Sequence, residues 1–144
     1  MKADYIRLVK LLPQAAVTIL RTDTLYGLVA LASNKDAVEK VYALKGRTMT
    51  KPCIILVPQQ SDIPFDKERL RQVYRDAQGR STTVVVPVSD QPDWLTRGGE
   101  SLAYRVPEKQ ELLDLIEKVG PIIAPSANPE GLPPARSIEE AREY

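Results

Sequence analysis

"VTILRTDTLYGLVALA", residues 17–32, decides the fold. Its two apolar runs, "VTIL" (17–20) and "LVALA" (28–32), are too short for helices and read as buried strands. The polar stretch between them is far shorter than the dozen or so residues that a parallel crossover needs. The two strands are therefore expected to be antiparallel.

The pattern extends outward from this pair. Upstream, Tyr5, Leu8, Val9 and Leu12 fall at helical spacing, and Pro13 stops the run. Downstream, Ser33 and Asp36 form an S-x-x-D helix start. The core face of that helix would carry Ala37, Val38, Val41 and Leu44, with Gly46 ending it. "CIILV" (53–57), "TTVVVPV" (82–88), "SLAYRV" (101–106) and "IIAP" (122–125) read as further strands, with Pro87 marking an end or an edge. Leu70, Val73, Tyr74 and Ala77 outline a helix, with Asp66 as cap and Gly79 past its end. Leu112, Leu115, Ile116 and Val119 outline another, closed by Gly120-Pro121, and Ser137 with Glu140 starts a last one. Strands alternating with helices predict one α/β domain over 1–144, with a mixed sheet and flanking helices.

Composition narrows the chemistry. With 144 residues, 43% apolar and 27% charged, the chain has material for one core. A net charge of +1 argues against a dedicated polyanion binder, so any nucleic-acid contact has to come from a patch. The absence of histidine removes imidazole acid–base catalysis, serine–histidine triads and histidine metal sites. One cysteine, Cys53 in an apolar run, reads as a buried structural thiol. No apolar run approaches a membrane span, and the default expectation is a cytoplasmic protein.

Three polar stretches each admit two readings. "RTDTLYGL" (21–28) is either a hairpin turn or a hydroxyl-lined floor for a small polar ligand, built from Thr22, Thr24 and Asp23. "KGRTMTK" (45–51) places Lys45, Arg47 and Lys51 in a stretch with no Asp or Glu between Val41 and Ser61. Those cations are either partners of the helix C-terminus or a clamp for phosphate or carboxylate. "APSANPEG" (124–131) is either a Ser/Asn-rich turn or a donor set for ligand oxygens or an adenine edge, through Ser126 and Asn128. Arg105 ends a strand that otherwise looks buried, so it requires an anionic partner, internal or substrate.

In their order along the chain, these motifs resemble the YrdC-like family of threonylcarbamoyl-AMP synthases. "RTDTLYGL" resembles the family segment P-T-[DE]-T-x-Y-G-L, and "LKGRTMTKPCIIL" its K-x-R…K-P-L-I-x-[VL] segment. "SLAYRVP" is similar to T-x-A-x-R-x-P, and "APSANPEGLPP" to S-A-N-x-S-G. The sequence departs from the pattern at Arg21 (family Pro), in "AQGRST" (77–82), which lacks the family Trp and Pro, and at Glu130 (family Ser). The C-terminal end is short relative to the family pattern.

The resemblance implies a twisted open mixed sheet with flanking helices, and synthesis of threonylcarbamoyl-AMP and pyrophosphate from ATP, L-threonine and bicarbonate, for modification of tRNA. It implies Lys45, Arg47 and Lys51 as the catalytic cations facing phosphates. It gives ATP binding to Arg47, Lys51, Ser101, Asn128 and Arg136, and threonine binding to Thr22, Thr24, Arg105 and Ser126. Mg²⁺ would enter with ATP, held by phosphates rather than by a protein metal site, and a tRNA-modification complex would act downstream. Two alternatives share the fold: a binder of tRNA or double-stranded RNA, and a hydrolase of threonylcarbamoyl-AMP using Asp23 or Glu130.

Overall fold

A computed structural model of the chain describes residues 3–58, 68, 72, 73, 76 and 82–144. Helix α1 (Ala3–Leu11) runs into a 3-10 turn, Leu12–Gln14, where Pro13 ends it as expected. Strands β1 (Thr18–Arg21) and β2 (Tyr26–Leu31) form the antiparallel hairpin, pairing Thr18 with Val29 and Arg21 with Tyr26. Then follow α2 (Lys35–Lys45), β3 (Ile55–Leu56), β4 (Thr83–Pro87), a short α3 (Asp93–Thr96), β5 (Ser101–Arg105), α4 (Gln110–Val119), β6 (Ile122–Ile123) and α5 (Ile138–Glu143). The strand order is β1-β2-β6-β3-β5-β4. Strands β3 and β5 run parallel, and the other pairings among the described residues are antiparallel. This is the expected mixed open sheet. Of the expected helix around Leu70–Ala77, Val73 is helical, and Leu70, Tyr74 and Ala77, with Asp66 and Gly79, lie outside the described residues.

The two faces of the sheet are covered by different helices. On one, α2 packs Ala37, Val38, Val41 and Tyr42 against Ala30, Ile55, Ile123, Leu102 and Tyr104. On the other, Tyr5, Leu8 and Leu12 meet Leu112, Leu115 and Ile116 of α4 over Val29, Leu31, Leu56 and Ile122. Alternation by one residue sends Ile55 and Leu56, or Ile123 and Ile122, to opposite cores. Among the described residues, the second cluster includes none of β4 or β5. On β5, Leu102 and Tyr104 are buried, whereas Ser101, Ala103 and Arg105 on the alternate face keep more exposure.

Two readings of α2 need correction. Its cap is Asn34, one residue after Ser33: the Asn34 side chain accepts from the Ala37 amide at 3.0 Å, with Asp36 in the first turn. Leu44 is 62% exposed rather than core. The buried stripe is Ala37, Val38, Val41, Tyr42 and Lys45, so the four-residue step from Ala37 and Val41 takes Lys45 inward. Gly46 ends the helix at φ 56° as expected, donating to Ala43. Two strands are shorter than read, since only Ile55–Leu56 of 53–57 and Ile122–Ile123 of 122–125 hold the ladder. No helix among the described residues is long and apolar enough to cross a membrane.

Candidate active site

The turn between β1 and β2 uses its two threonines differently. Thr22 Oγ1 donates to the Leu25 carbonyl at 2.8 Å and accepts from the Leu25 amide at 3.3 Å, so this hydroxyl closes the turn. Asp23 instead ties the turn to the segment that follows β5, accepting from the Glu108 amide at 2.9 Å. Thr24 is exposed, and its Oγ1 accepts from Arg105 Nη1 at 3.4 Å. The cross-strand partner of Arg105 is Thr83, whose hydroxyl accepts from Nε at 2.9 Å and Nη2 at 2.7 Å. Thus the partners of Arg105 among the described residues are hydroxyls, and its positive charge is not balanced by a paired carboxylate there. A guanidinium oriented by hydroxyls and left without an acid among the described residues suits a small anion such as a carboxylate. Thr83 escaped the sequence reading, although strand pairing set directly opposite Arg105 was the signal that identifies it.

The 124–131 segment docks onto β2 through backbone. Leu28 N donates to Pro125 O at 2.9 Å and Ala127 N to Tyr26 O at 2.7 Å, with a further bridge between Gly27 and Ser126. A Cβ on Gly27 would sit 3.2 Å from Pro125 O, so glycine permits the close approach. Ser126 is half-buried beside the hairpin turn. Asn128 is 9% exposed, and its Nδ2 donates to Pro129 O at 3.0 Å and Leu132 O at 2.7 Å. Asn128, expected at the nucleotide, spends its amide nitrogen on two carbonyls of its own turn, while its buried Oδ1 has no partner among the described residues.

The basic stretch resolves into three roles. Lys45 is 3% exposed, and its ammonium donates to the carbonyls of Ser126 and Asn128. It was expected to face phosphates; burial on the α2 stripe makes it a pin between α2 and the 126–128 backbone instead. Burial, with the nearby charge of Arg47, lowers its pKa from 10.5. Arg47 is half-buried, donating from Nε to Lys51 O at 3.1 Å and from Nη2 to Pro52 O at 2.9 Å. Tyr42 OH donates to the same Lys51 carbonyl at 2.7 Å, which stakes the loop to the core. Lys51 projects outward and meets Glu130 at 2.5 Å. The other carboxylate oxygen of Glu130 accepts from the Thr48 amide at 2.5 Å and hydroxyl at 2.8 Å. Lys51, then Thr48, pulls the Glu130 pKa from 4.5 to about 2.

The expected residues thus fall into two groups. Arg105 and Thr24 are one, joined by the unexpected Thr83; Lys45, Arg47, Lys51 and Asn128 are the other, joined by Thr48 and Glu130. The continuous hairpin–Ser126 contact lies between them in the chain of bonds, but no direct bond joins the groups among the described residues. Ser101 opens β5 opposite Pro87, and four steps along the strand, about 13 Å at about 3.3 Å each, separate it from Arg105 on the same face. Arg136 is exposed, with its amide donating to Glu140 at 2.8 Å. A cleft of about 470 Å³ is lined by Thr18, Leu28, Lys45, Asn128 and Tyr144 among others, but by none of Arg47, Lys51, Thr24 or Arg105. Its lining is mainly apolar, so the polar groups rather than this cleft define the candidate site. Cys53 is a buried free thiol, its pKa raised by burial. Among the described residues no cluster of three His, Cys, Asp or Glu stands ready to hold a metal ion.

A mixed α/β sheet carrying an arginine–threonine cluster and a staked basic loop defines a class of domain built to hold small anionic ligands. The sequence pattern of the Sua5–YciO–YrdC family, described as telomere recombination, matches residues 10–144, and the chain belongs to that family. Threonylcarbamoyl-AMP synthase of Pseudomonas fluorescens is 31% identical over 134 residues, 90% of this chain and 72% of the relative. The Bacillus subtilis protein of that name is 35% identical over 138 residues, 90% of this chain and 39% of its own length. Among solved structures, P. abyssi Sua5 complexed with L-threonine superposes at a TM-score of 0.83 with 29% identity, covering 96% of this chain and 43% of that one. E. coli YciO shares the fold at a TM-score of 0.74 and 17% identity, over 96% of this chain and 71% of that one. These relatives do not favour the RNA-binding or hydrolase alternatives.

Proposed function

We propose that the chain is a threonylcarbamoyl-AMP synthase, joining L-threonine, bicarbonate and ATP into threonylcarbamoyl-AMP and pyrophosphate. The observation that carries this reading is Arg105, whose guanidinium is oriented by the hydroxyls of Thr83 and Thr24 and has no paired carboxylate among the described residues. It supports capture of the threonine carboxylate, and the relatives' names and the threonine complex of P. abyssi Sua5 support the same substrate.

The neutral threonine amine attacks carbon dioxide derived from bicarbonate and gives a proton to solvent, or attacks bicarbonate itself with loss of water, and either route gives a carbamate. A carbamate oxygen then attacks the α-phosphorus of ATP; the bond to the β-phosphate oxygen breaks and pyrophosphate leaves. The protein's part is positioning and charge neutralisation, the main contributions to phosphoryl-type transfer. Arg105, Thr24 and Ser126 hold the amino acid. Lys51 and Arg47 face the polyphosphate, with Ser101 and Arg136 along the nucleotide. Lys45 and Asn128 act one step back, by fixing the backbone that presents Ser126. Mg²⁺ brought in with the nucleotide would supply further charge neutralisation, held chiefly by phosphate and water. The product, a mixed anhydride, goes to tRNA modification in the cytoplasm.

The test is incubation with ATP, threonine and isotope-labelled bicarbonate, with detection of labelled threonylcarbamoyl-AMP by mass spectrometry. Product that requires all three substrates is expected. A folded protein that gives none refutes the reading.

A further inference from the structure

The Glu130 carboxylate sits where three donors converge. One oxygen takes the amide of Thr48 at 2.5 Å and its hydroxyl at 2.8 Å, and the other takes the Lys51 ammonium at 2.5 Å. A backbone amide, a hydroxyl and an ammonium are the donors that a phosphate group collects. The arrangement is accessible, since the Lys51 and Glu130 side chains keep 58% and 26% exposure. It is also firmly based: Tyr42 and Arg47 hold the loop carbonyls, and the Glu130 amide donates to Lys45 O at 3.0 Å.

We propose that Glu130 is an internal competitor, a carboxylate that fills a phosphate seat formed by Thr48 and Lys51 and must leave before a polyphosphate can enter. This rests on the synthase reading only in identifying ATP as the physiological polyphosphate. The carboxylate stays ionised at neutral pH, so binding displaces a charged rival rather than a neutral one. Filling the seat with a tethered acid sets a concentration threshold for nucleotide.

The probe is inorganic tripolyphosphate, titrated by calorimetry into the wild-type chain, Glu130→Ser and Glu130→Gln at one fixed salt concentration. Both variants are expected to bind it about tenfold more tightly, the scale of one charged contact no longer displaced. Equal or weaker binding in the variants, or no binding by any of the proteins, overturns the proposal. Glu130→Gln keeps size and an acceptor oxygen, so it decides the matter if Glu130→Ser fails to fold. In a Lys51→Met background the gain from Glu130→Gln should shrink to under threefold; a full gain there means general charge rather than a seat and also overturns it. Product formation is followed separately. An active wild-type chain with no gain in the variants rejects the seat and keeps the synthase, whereas a clear gain in an inactive chain does the reverse.

Discussion

At the scale of single residues, the chemistry turns on how each cation is satisfied. Arg105 is held by hydroxyls, which orient a guanidinium without cancelling its charge. Hydrogen bonds to charged groups contribute about 1.5–3 kcal/mol, so Thr83→Val is expected to raise KM for threonine about tenfold or more. Arg105→Gln should raise it further, and in both variants KM for ATP and the melting temperature should stay near wild type. Steady-state kinetics with each substrate varied checks this; a matching rise in both KM values would refute a role specific to threonine. Lys45 is the opposite case, a buried ammonium spent on two carbonyls. Lys45→Met leaves those carbonyls unpaired and is expected to destabilise the chain by about 1–3 kcal/mol, read from urea denaturation.

At the scale of elements, strands and helices were legible because periodicity is local. The β1–β2 hairpin followed from the length of its connection, and α2 from Ala37, Val38 and Val41. The cap was misplaced by one residue because Ser33 and Asn34 are both competent; only the extended backbone of Asn34 aims its side chain at Ala37 N. Asn34→Ala should therefore lower stability by about 1 kcal/mol, and Ser33→Ala much less, in thermal melts. The site was less legible because its partners are remote in sequence. No acid lies near Lys51 along the chain, yet Glu130 reaches it from 79 residues away. Arg105 and Thr24 are 81 residues apart, and only the motif order joined them beforehand. The docking of 124–126 on Gly27 was equally hidden. Gly27→Ala places a Cβ 3.2 Å from Pro125 O, with backbone on both sides resisting adjustment. Overpacking of this kind typically costs about 1–3 kcal/mol, to be read as a drop in melting temperature and faster amide exchange at Leu28 and Ala127.

At the scale of the whole molecule, near-neutrality and the lack of histidine decide how activity should depend on pH. The chain holds 20 basic and 19 acidic residues and no imidazole. Glu130 moves down to about 2, so the stability its pairing provides is present above 4.5 and is lost as pH falls towards 2. Cys53 moves upward from 9.0, and Tyr42 upward to about 12, both chiefly through burial. Lys45 moves towards neutrality from above, because burial disfavours its charge. An unfolded lysine keeps its proton up to 10.5, so the unfolded chain binds more protons in the window below that value. Stability relative to Lys45→Met should accordingly increase as pH rises towards 10.5. The substrate brings its own base: threonine's amine must lose a proton before it attacks carbon. Product formation is therefore expected to climb between pH 6 and pH 8.5 with a slope set by that amine, and Lys45→Met, assayed at a temperature where it is folded, should keep the same slope. Initial rates at subsaturating threonine and constant bicarbonate measure it. If the climb vanishes in Lys45→Met, that lysine is the base, and its place as a backbone pin is wrong.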